Sequence, residues 1–289
     1  MNKKPIGIVS MSLDKWELNE INTCIRKRGY ETELISIENT LLNYSKIANS
    51  STEYHVVLGR VERPILHEGL TLLKAYEVKG ERIVNSADAI YNSQNKAYCS
   101  LYLAKGNIPH PKTLFSFSKD VIINSLPELK FPVVLKPWIG GRGVGIVKAD
   151  TINNAKDFIE LIDFTKQPFY IQEFVHNPKS KSYRDIRIFV IGDEAIGAYY
   201  REANKEQWKT NICNGGIGRK GEISIEISKM AINAAKAIGA EIAGVDIIET
   251  ADGFAVLEVN ICPLFKAFYN TTGINPAEKI SDYLINRYK

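Results

Sequence analysis

A chain of 289 residues with 45% hydrophobic and 10% aromatic content has material for real cores and, at ~100–200 residues per domain, room for two or three domains. That composition excludes intrinsic disorder as the main state. Thirty-seven Lys plus Arg against 33 Asp plus Glu leave a net charge of +4, too little for a generic nucleic-acid binder, although basic residues can still gather around an anionic ligand.

In chain order, PIGIVS (5–10) reads as a strand and 18–28 as a helix with Leu18, Ile21 and Ile25 on one face, closed by Gly29. ETELISI alternates as a strand, YHVVLGRV is another, and a helix from Pro64 to about Lys79 leads to ERIVNS. These make a small open α/β unit, assigned to residues 1–90, with no GxGxxG after its first strand to support a dinucleotide fold. A polar stretch near 86–95 reads as a junction before a helix over about Gln94–Lys105, which GNIPHPKT ends. A second unit, 91–170, holds the strand FPVVLKP, the glycine loop WIGGRGVG, the strand IVKAD, and a helix from Asn153 to about Phe164 capped by Asp150 or Thr151. The third, 171–289, opens with FYIQEFV. It pairs RDIRIFVIG with AIGAYYRE around Gly192-Asp193, passes the loop WKTNICNGGIGRKG, and ends with a helix, a hairpin and a helix over about Pro276–Asn286.

Cys24, Cys99, Cys213 and Cys262 have no CxxC or zinc spacing, so neither a disulfide framework nor a structural zinc site is encoded. No apolar stretch approaches the ~18–20 residues of a membrane span, and the first residues lack a signal-peptide pattern. The expectation is a cytoplasmic protein with no membrane or nucleic-acid partner. His55, His67, His110 and His176 have no spacing suggesting a triad or ligand set and are assigned structural or surface roles.

The chemistry concentrates late in the chain. In AGVDIIETADGFAVLEVN two β runs flank the turn Ala251-Asp252-Gly253, and a three-residue turn sets Asp246 opposite Glu258, Cβ atoms ~5 Å apart, with Asn260 on the same face. Two facing carboxylates repel, so something must neutralise them. Three hard oxygen donors suit Mg²⁺, which leaves positions for phosphates; the alternative is a solvated polar face. Lys136 precedes Gly140, Gly141, Gly143 and Gly145, glycines that let backbone N–H groups fold over phosphates; the alternative is a flexible hairpin with Arg142 exposed. Gln172, Glu173, Phe174 and Val175 would offer a backbone edge to an adenine; the alternative is a strand of plain core. Arg201 and Asn211 would hold a γ-phosphate and a carboxylate; the alternative is a surface arginine with a loop asparagine.

With these residues in this order the sequence resembles the RimK-like ATP-grasp ligases over nearly its whole length, most specifically from 131 to 273. The resemblance implies an α/β (α+β) ATP-grasp fold: an N-terminal open α/β pre-grasp domain, a small central domain with a glycine flap, and a C-terminal antiparallel-sheet domain. It implies nucleotide contacts at Lys96, Lys136, the flap from Gly140 through Val144 to Gly145, the hinge Gln172–Val175, Asp185, Lys209, Thr210 and Asn211. It further implies metal ligands at Asp246, Glu258 and Asn260, substrate contacts at Arg187 and Lys266, and catalytic roles for Arg201 and Asn211. ATP with two Mg²⁺ or Mn²⁺ ions would activate a carboxylate as an acyl phosphate, which the amine of L-glutamate attacks. Family acceptors include methanogen cofactors (a pterin and a deazaflavin), a ribosomal protein tail and a carrier protein. A homo-oligomer, dimer or tetramer, is expected. The run ICPLFKAFYNTTG after EVN departs from the small-residue run of ribosomal-modification members and leans toward a small cofactor; a nucleotide-binding regulatory protein and a kinase-like phosphotransferase remain alternatives.

Overall fold

The strand patterns of the first 85 residues become a four-stranded parallel sheet, β1 (Ile6–Ser10), β2 (Thr32–Ser36), β3 (Val56–Gly59) and β4 (Ile83–Val84), ordered β2-β1-β3-β4. In the computed structural model, which describes residues 3–47, 51–140, 143–180, 182–204, 207–210 and 216–287, every position of β1 and β3 is buried. Such runs are what a parallel sheet needs when helices cover both faces. Helix α1 (Trp16–Lys27) buries Leu18, Ile21 and Ile25 as its spacing predicts, and Gly29 follows it at φ +74°, a left-handed conformation that costs glycine nothing. A short α2 (Tyr44–Ile47) and α3 (Leu66–Val78) complete this unit.

The polar stretch read as a junction is helical. Helix α4 (Ala87–Gln94) is followed after one residue by α5 (Lys96–Lys105). Ser86 and Asn95, whose polarity suggested a linker, are their N-caps: Ser86 Oγ accepts from Ala89 N at 3.1 Å and Asn95 Oδ1 from Tyr98 N at 3.2 Å. Ala89 and Ile90 of α4 and Cys99 and Leu103 of α5 pack in the core shared with the C-terminal sheet, while Lys96 N donates to Trp138 O (2.7 Å) beside the glycine loop, so α5 touches both units.

The central sheet is antiparallel, ordered β5-β8-β6-β7, from β5 (Thr113–Ser116), β6 (Val133–Leu135), β7 (Val147–Ala149) and β8 (Phe169–Glu173). Helices α6 (Lys119–Ser125) and α7 (Ile152–Phe164) give it a core of its own around Ile122, Leu126, Ile159 and Phe169. Thr151, of the two caps expected, accepts from Asn154 N at 3.2 Å.

The C-terminal sheet is antiparallel, ordered β11-β10-β9-β12-β13, from β9 (Arg184–Ile191), β10 (Glu194–Glu202), β11 (Ile217–Lys220), β12 (Ile242–Thr250) and β13 (Gly253–Asn260). Helix α8 (Ile225–Ala237) covers one face; α9 (Lys266–Thr272) and α10 (Pro276–Asn286) lie on the other. Strand β11, inside a stretch read as a loop, and helix α9 escaped the sequence reading.

Asp246 does pair with Glu258, but not through the expected turn. Thr250 pairs with Gly253 around a two-residue turn, and a bulge after Asp246 shifts the register, leaving Leu257 as the extra residue. The two departures cancel at Glu258. The bulge lies at the cavity wall, where the consecutive residues Leu257 and Glu258 both form part of the lining.

Candidate active site

The central and C-terminal sheets face each other across a cavity of about 980 Å³ that extends to the N-terminal unit. Lys96, Lys136, Gly140, Gly143, Val144, Gln172, Glu173, Phe174, Val175, Asp185, Arg187, Arg201, Lys209, Thr210, Asp246, Glu258, Asn260 and Lys266 all line it. Gly145 closes the flap outside this lining, and Gly141, Arg142 and Asn211 lie outside the described residues.

Strand β6 delivers Lys136, whose Nζ donates to Gln172 Oε1 at 2.5 Å, and burial pushes its ammonium down to about 8 against the pull of Glu258. Gln172 Nε2 donates to Thr113 Oγ1 (2.9 Å) and Tyr170 Oη (3.2 Å), so this buried amide orients Lys136. The backbone edge expected at Gln172–Val175 is narrower than the sequence suggested. Glu173 N and Phe174 N are taken by Lys112 O and Pro132 O (both 2.9 Å), whereas Val175 N donates to no described backbone group. Apolar side chains stand on both sides of this lobe, Val134 and Ile146 from the central unit and Ile248 and Leu257 from the C-terminal sheet. Phe174 packs edge-on against Trp208 at 5.5 Å. Sequence reasoning missed these slot residues; strand alternation places Val134 on the face of Lys136 and Ile248 on that of Asp246, two residues away in each case.

The glycine loop is held at two carbonyls. Lys96 Nζ donates to Gly140 O at 2.8 Å and Lys209 Nζ to Gly143 O at 3.2 Å. Gly145 has φ +72°, and a Cβ there would meet Pro137 Cγ at 2.8 Å, so glycine is required twice over.

Across the cavity lies a ladder of alternating charge. Cross-strand pairs set Arg201 beside Asp185 and Arg187 beside Asp246. Arg201 Nε and Nη2 donate to Asp185 at 2.6 and 2.8 Å, and Nη2 also reaches Asp246 at 2.9 Å. Arg187 grips Asp246 through Nε and Nη2 at 2.6 and 2.7 Å, while Thr210 donates its hydroxyl to Asp185. Burial alone would raise the Asp246 carboxyl; Arg187 and Arg201 outweigh it and hold it below the ordinary carboxylate range. The neutraliser the facing carboxylates demanded is therefore an arginine pair. Arg187, expected at the substrate, Arg201, expected at a γ-phosphate and a carboxylate, and Asp185, expected at the nucleotide, all line the cavity and use their Nε, Nη2 and carboxylate atoms on one another or on Asp246.

Glu258 is the exception, accepting no hydrogen bond and making no ion pair among the described residues. Among those residues no three His, Cys, Asp or Glu side chains converge. The third donor is an amide: Asn260 Nδ2 lies 3.2 Å from Asp246 Oδ2, and a turn of that amide presents its oxygen. Two carboxylates and an amide, one carboxylate unpartnered, fit a hard divalent cation completed by phosphate oxygens.

A family model described as the RimK-like ATP-grasp domain matches residues 93–284, spanning the hinge, flap, arginine ladder and carboxylate face. The chain belongs to the RimK-like ATP-grasp family. Among relatives, it is 33% identical to the tetrahydromethanopterin:alpha-L-glutamate ligase of Methanococcus maripaludis over 98% of this chain and 99% of that one. It is 29% identical to a probable alpha-L-glutamate ligase of Trichodesmium erythraeum, covering 96% and 95% of the two chains. Of solved structures, the ATP-grasp ligase PsnB, complexed with a phosphomimetic variant of its minimal precursor, Mg and ADP, superposes with a TM-score of 0.76 over 100% of both chains at 22% identity, a likeness of fold. This RimK-like member thus carries the expected architecture of pre-grasp unit, flap-bearing central sheet and C-terminal sheet.

Proposed function

We propose that this protein is an ATP-dependent carboxylate–amine ligase that forms an acyl phosphate and then an amide with L-glutamate. The observation that carries the reading is Glu258, without a hydrogen bond or ion pair among the described residues, beside Asp246 and Asn260 in one cavity with Lys136 and the glycine loop. The base would lie in the apolar slot near Val175 N, with Lys136 and Lys96 as cations toward the phosphates. Asp246, Glu258 and Asn260 would hold Mg²⁺, which supplies charge neutralisation at the phosphate oxygens. An acceptor carboxylate oxygen attacks the γ-phosphorus and ADP leaves. The glutamate amine then attacks the acyl carbon, phosphate leaves and the amine loses a proton. The Gly140–Gly145 loop, with Lys96 and Lys209 at its carbonyls, is placed to exclude water from the intermediate.

The acceptor proposed is a small glutamyl-bearing cofactor, as in the methanogen relative named for tetrahydromethanopterin. Cytoplasmic location, a two-ion site and a dimer or tetramer belong to this reading through family likeness; metal-to-protein ratios and light scattering test the last two. No helix of the described residues is long and apolar enough to cross a membrane. Incubation with ATP, Mg²⁺, labelled L-glutamate and cell extract should yield ADP, phosphate and one compound heavier by a glutamyl unit in mass spectra. ADP release that is independent of an amine would indicate a phosphotransferase and overturn the reading.

A further inference from the structure

Behind the contact between Lys136 and Gln172 stands a chain of hydroxyl groups outside the cavity. Thr113 on β5 pairs with Gln172 on β8, and neither Thr113 nor Pro111 belongs to the cavity lining. Thr113 Oγ1 donates to Pro111 O at 2.8 Å. A threonine hydroxyl has one proton, so toward Gln172 this oxygen accepts, and it is met by Nε2 at 2.9 Å. The other end of the amide demands the same orientation. An ammonium carries donors only, so Gln172 must show Oε1 to Lys136 Nζ, at 2.5 Å. Tyr170 Oη accepts from Nε2 at 3.2 Å, which frees its own proton for Ser100 Oγ, 2.7 Å away on α5. Gln172 is 1% and Tyr170 2% exposed, so reversing the amide costs buried hydrogen bonds. Among the described residues Gln172 is the sole side chain bonded to the Lys136 ammonium, and no carboxylate pairs with it. The charged and titratable groups that face it are Glu258 and Asp246 of the C-terminal sheet, Lys96 and Cys99 of α5, and Tyr170 of β8.

We propose that Thr113 is a positioning residue that acts on Lys136 through Gln172: its hydroxyl, committed to Pro111 O, fixes the direction of the amide, and the amide oxygen keeps the Lys136 ammonium charged while leaving that charge uncancelled. The consequence for phosphate binding rests on the nucleotide reading; the direction of the amide follows from the hydrogen bonds alone. A neutral partner stabilises an ammonium without forming an ion pair, so the full charge remains for a phosphate oxygen, whereas a glutamate at position 172 would claim it. Without the threonine hydroxyl the amide is free to turn its nitrogen toward Nζ, an arrangement that an uncharged amine accepts and an ammonium does not. The Thr113–Pro111 bond therefore favours the charged lysine against the burial that opposes it.

Carbon-13 NMR of the full chain labelled at lysine Cε, with the Lys136 signal identified by its loss in Lys136→Met, reads this ammonium directly. Its titration midpoint, about 8 in the parent, should fall by about one pH unit in Thr113→Val and stay in place in Thr113→Ser, which keeps the hydroxyl. Gln172→Glu should raise it. In calorimetry Thr113→Val should bind Mg·ADP about eightfold more weakly at pH 8.5, yet within about twofold of the parent at pH 6.5, where the lysine is charged in both proteins. A residue that only supports the sheet would weaken binding equally at the two pH values. An unmoved midpoint in Thr113→Val, a serine variant that behaves as the valine one, or an affinity loss that is equal at both pH values overturns the inference. If circular dichroism shows the valine variant unfolded, Thr113→Ala removes the same hydroxyl and carries the same expectations. Since the NMR titration needs no nucleotide, failure of the ligase reading shows separately, as the expected midpoint shifts with no glutamyl product.

Discussion

Asp246 and Glu258 face each other on neighbouring strands but answer to different forces. Asp246 is buried and held by two guanidinium groups, so removing its charge leaves the largely buried Arg187 without its carboxylate, while Arg201 keeps Asp185. Asp246→Asn should cost about 3–5 kcal/mol in denaturant unfolding as well as abolishing turnover. Glu258 makes no hydrogen bond or ion pair among the described residues, so removing its charge strands no bonded partner and loses only its pull on the Lys136 ammonium. Glu258→Gln should stay within about 0.5 kcal/mol of the parent and still lose ADP formation; near-normal rates would remove it from the metal face. Lys136 makes a second residue-scale case. Its ammonium, pushed down to about 8 by burial, is charged below that pH and neutral above it. The unfolded lysine titrates near 10.4, so the folded chain binds fewer protons between these values and this residue's contribution to stability rises with pH across that window. Phosphate beside it favours the charged form, so Mg·ADP binding at pH 8–9 should take up a proton, visible as a buffer-dependent binding enthalpy that Lys136→Met abolishes.

At the scale of elements, the flap and the last hairpin show how local chemistry positions the site. Gly145 is left-handed and pressed against Pro137. Gly145→Ala should strain the loop by about 1–3 kcal/mol, raising the KM for ATP and exposing the loop to limited proteolysis while the global unfolding midpoint scarcely moves. The hairpin shows what a pattern can carry. Alternation and the Ala251-Asp252-Gly253 turn were enough to oppose Asp246 and Glu258, yet the pairing arises from a tighter turn and a bulge at Leu257. Bulges follow the packing of neighbouring strands and sheets, which one strand's residues do not spell out. Helix α4 was hidden for a related reason, its capping and outward-facing polar residues resembling a linker until Ala89 and Ile90 found a core.

Across the whole molecule, the two ends of the chain fold as one body. Ile6, Ile8, Leu18, Ile21 and Ile25 share a core with Phe189, Phe265, Ile280 and Leu284, and Arg28 bonds Asp282 through Nε at 2.6 Å and Nη2 at 2.9 Å. The open α/β unit read as residues 1–90 leaves that apolar face uncovered on its own. Expressed alone, the 1–90 fragment should lack a cooperative thermal transition by circular dichroism; a sharp transition would show that the C-terminal helix is dispensable to it.

The sequence by itself determined the buried strands, the amphipathic helices, the glycine loop behind Lys136 and the carboxylate pair, because each is a matter of side-chain period, turn chemistry or backbone freedom within a few residues. Only the tertiary structure decided that Arg187 and Arg201 neutralise Asp246, that Gln172 orients Lys136 and that Val175 N is left without a backbone acceptor among the described residues. Those outcomes depend on which distant groups burial brings within reach of one another, and a charge in a sequence does not reveal whether its partner will be water, a phosphate or another side chain.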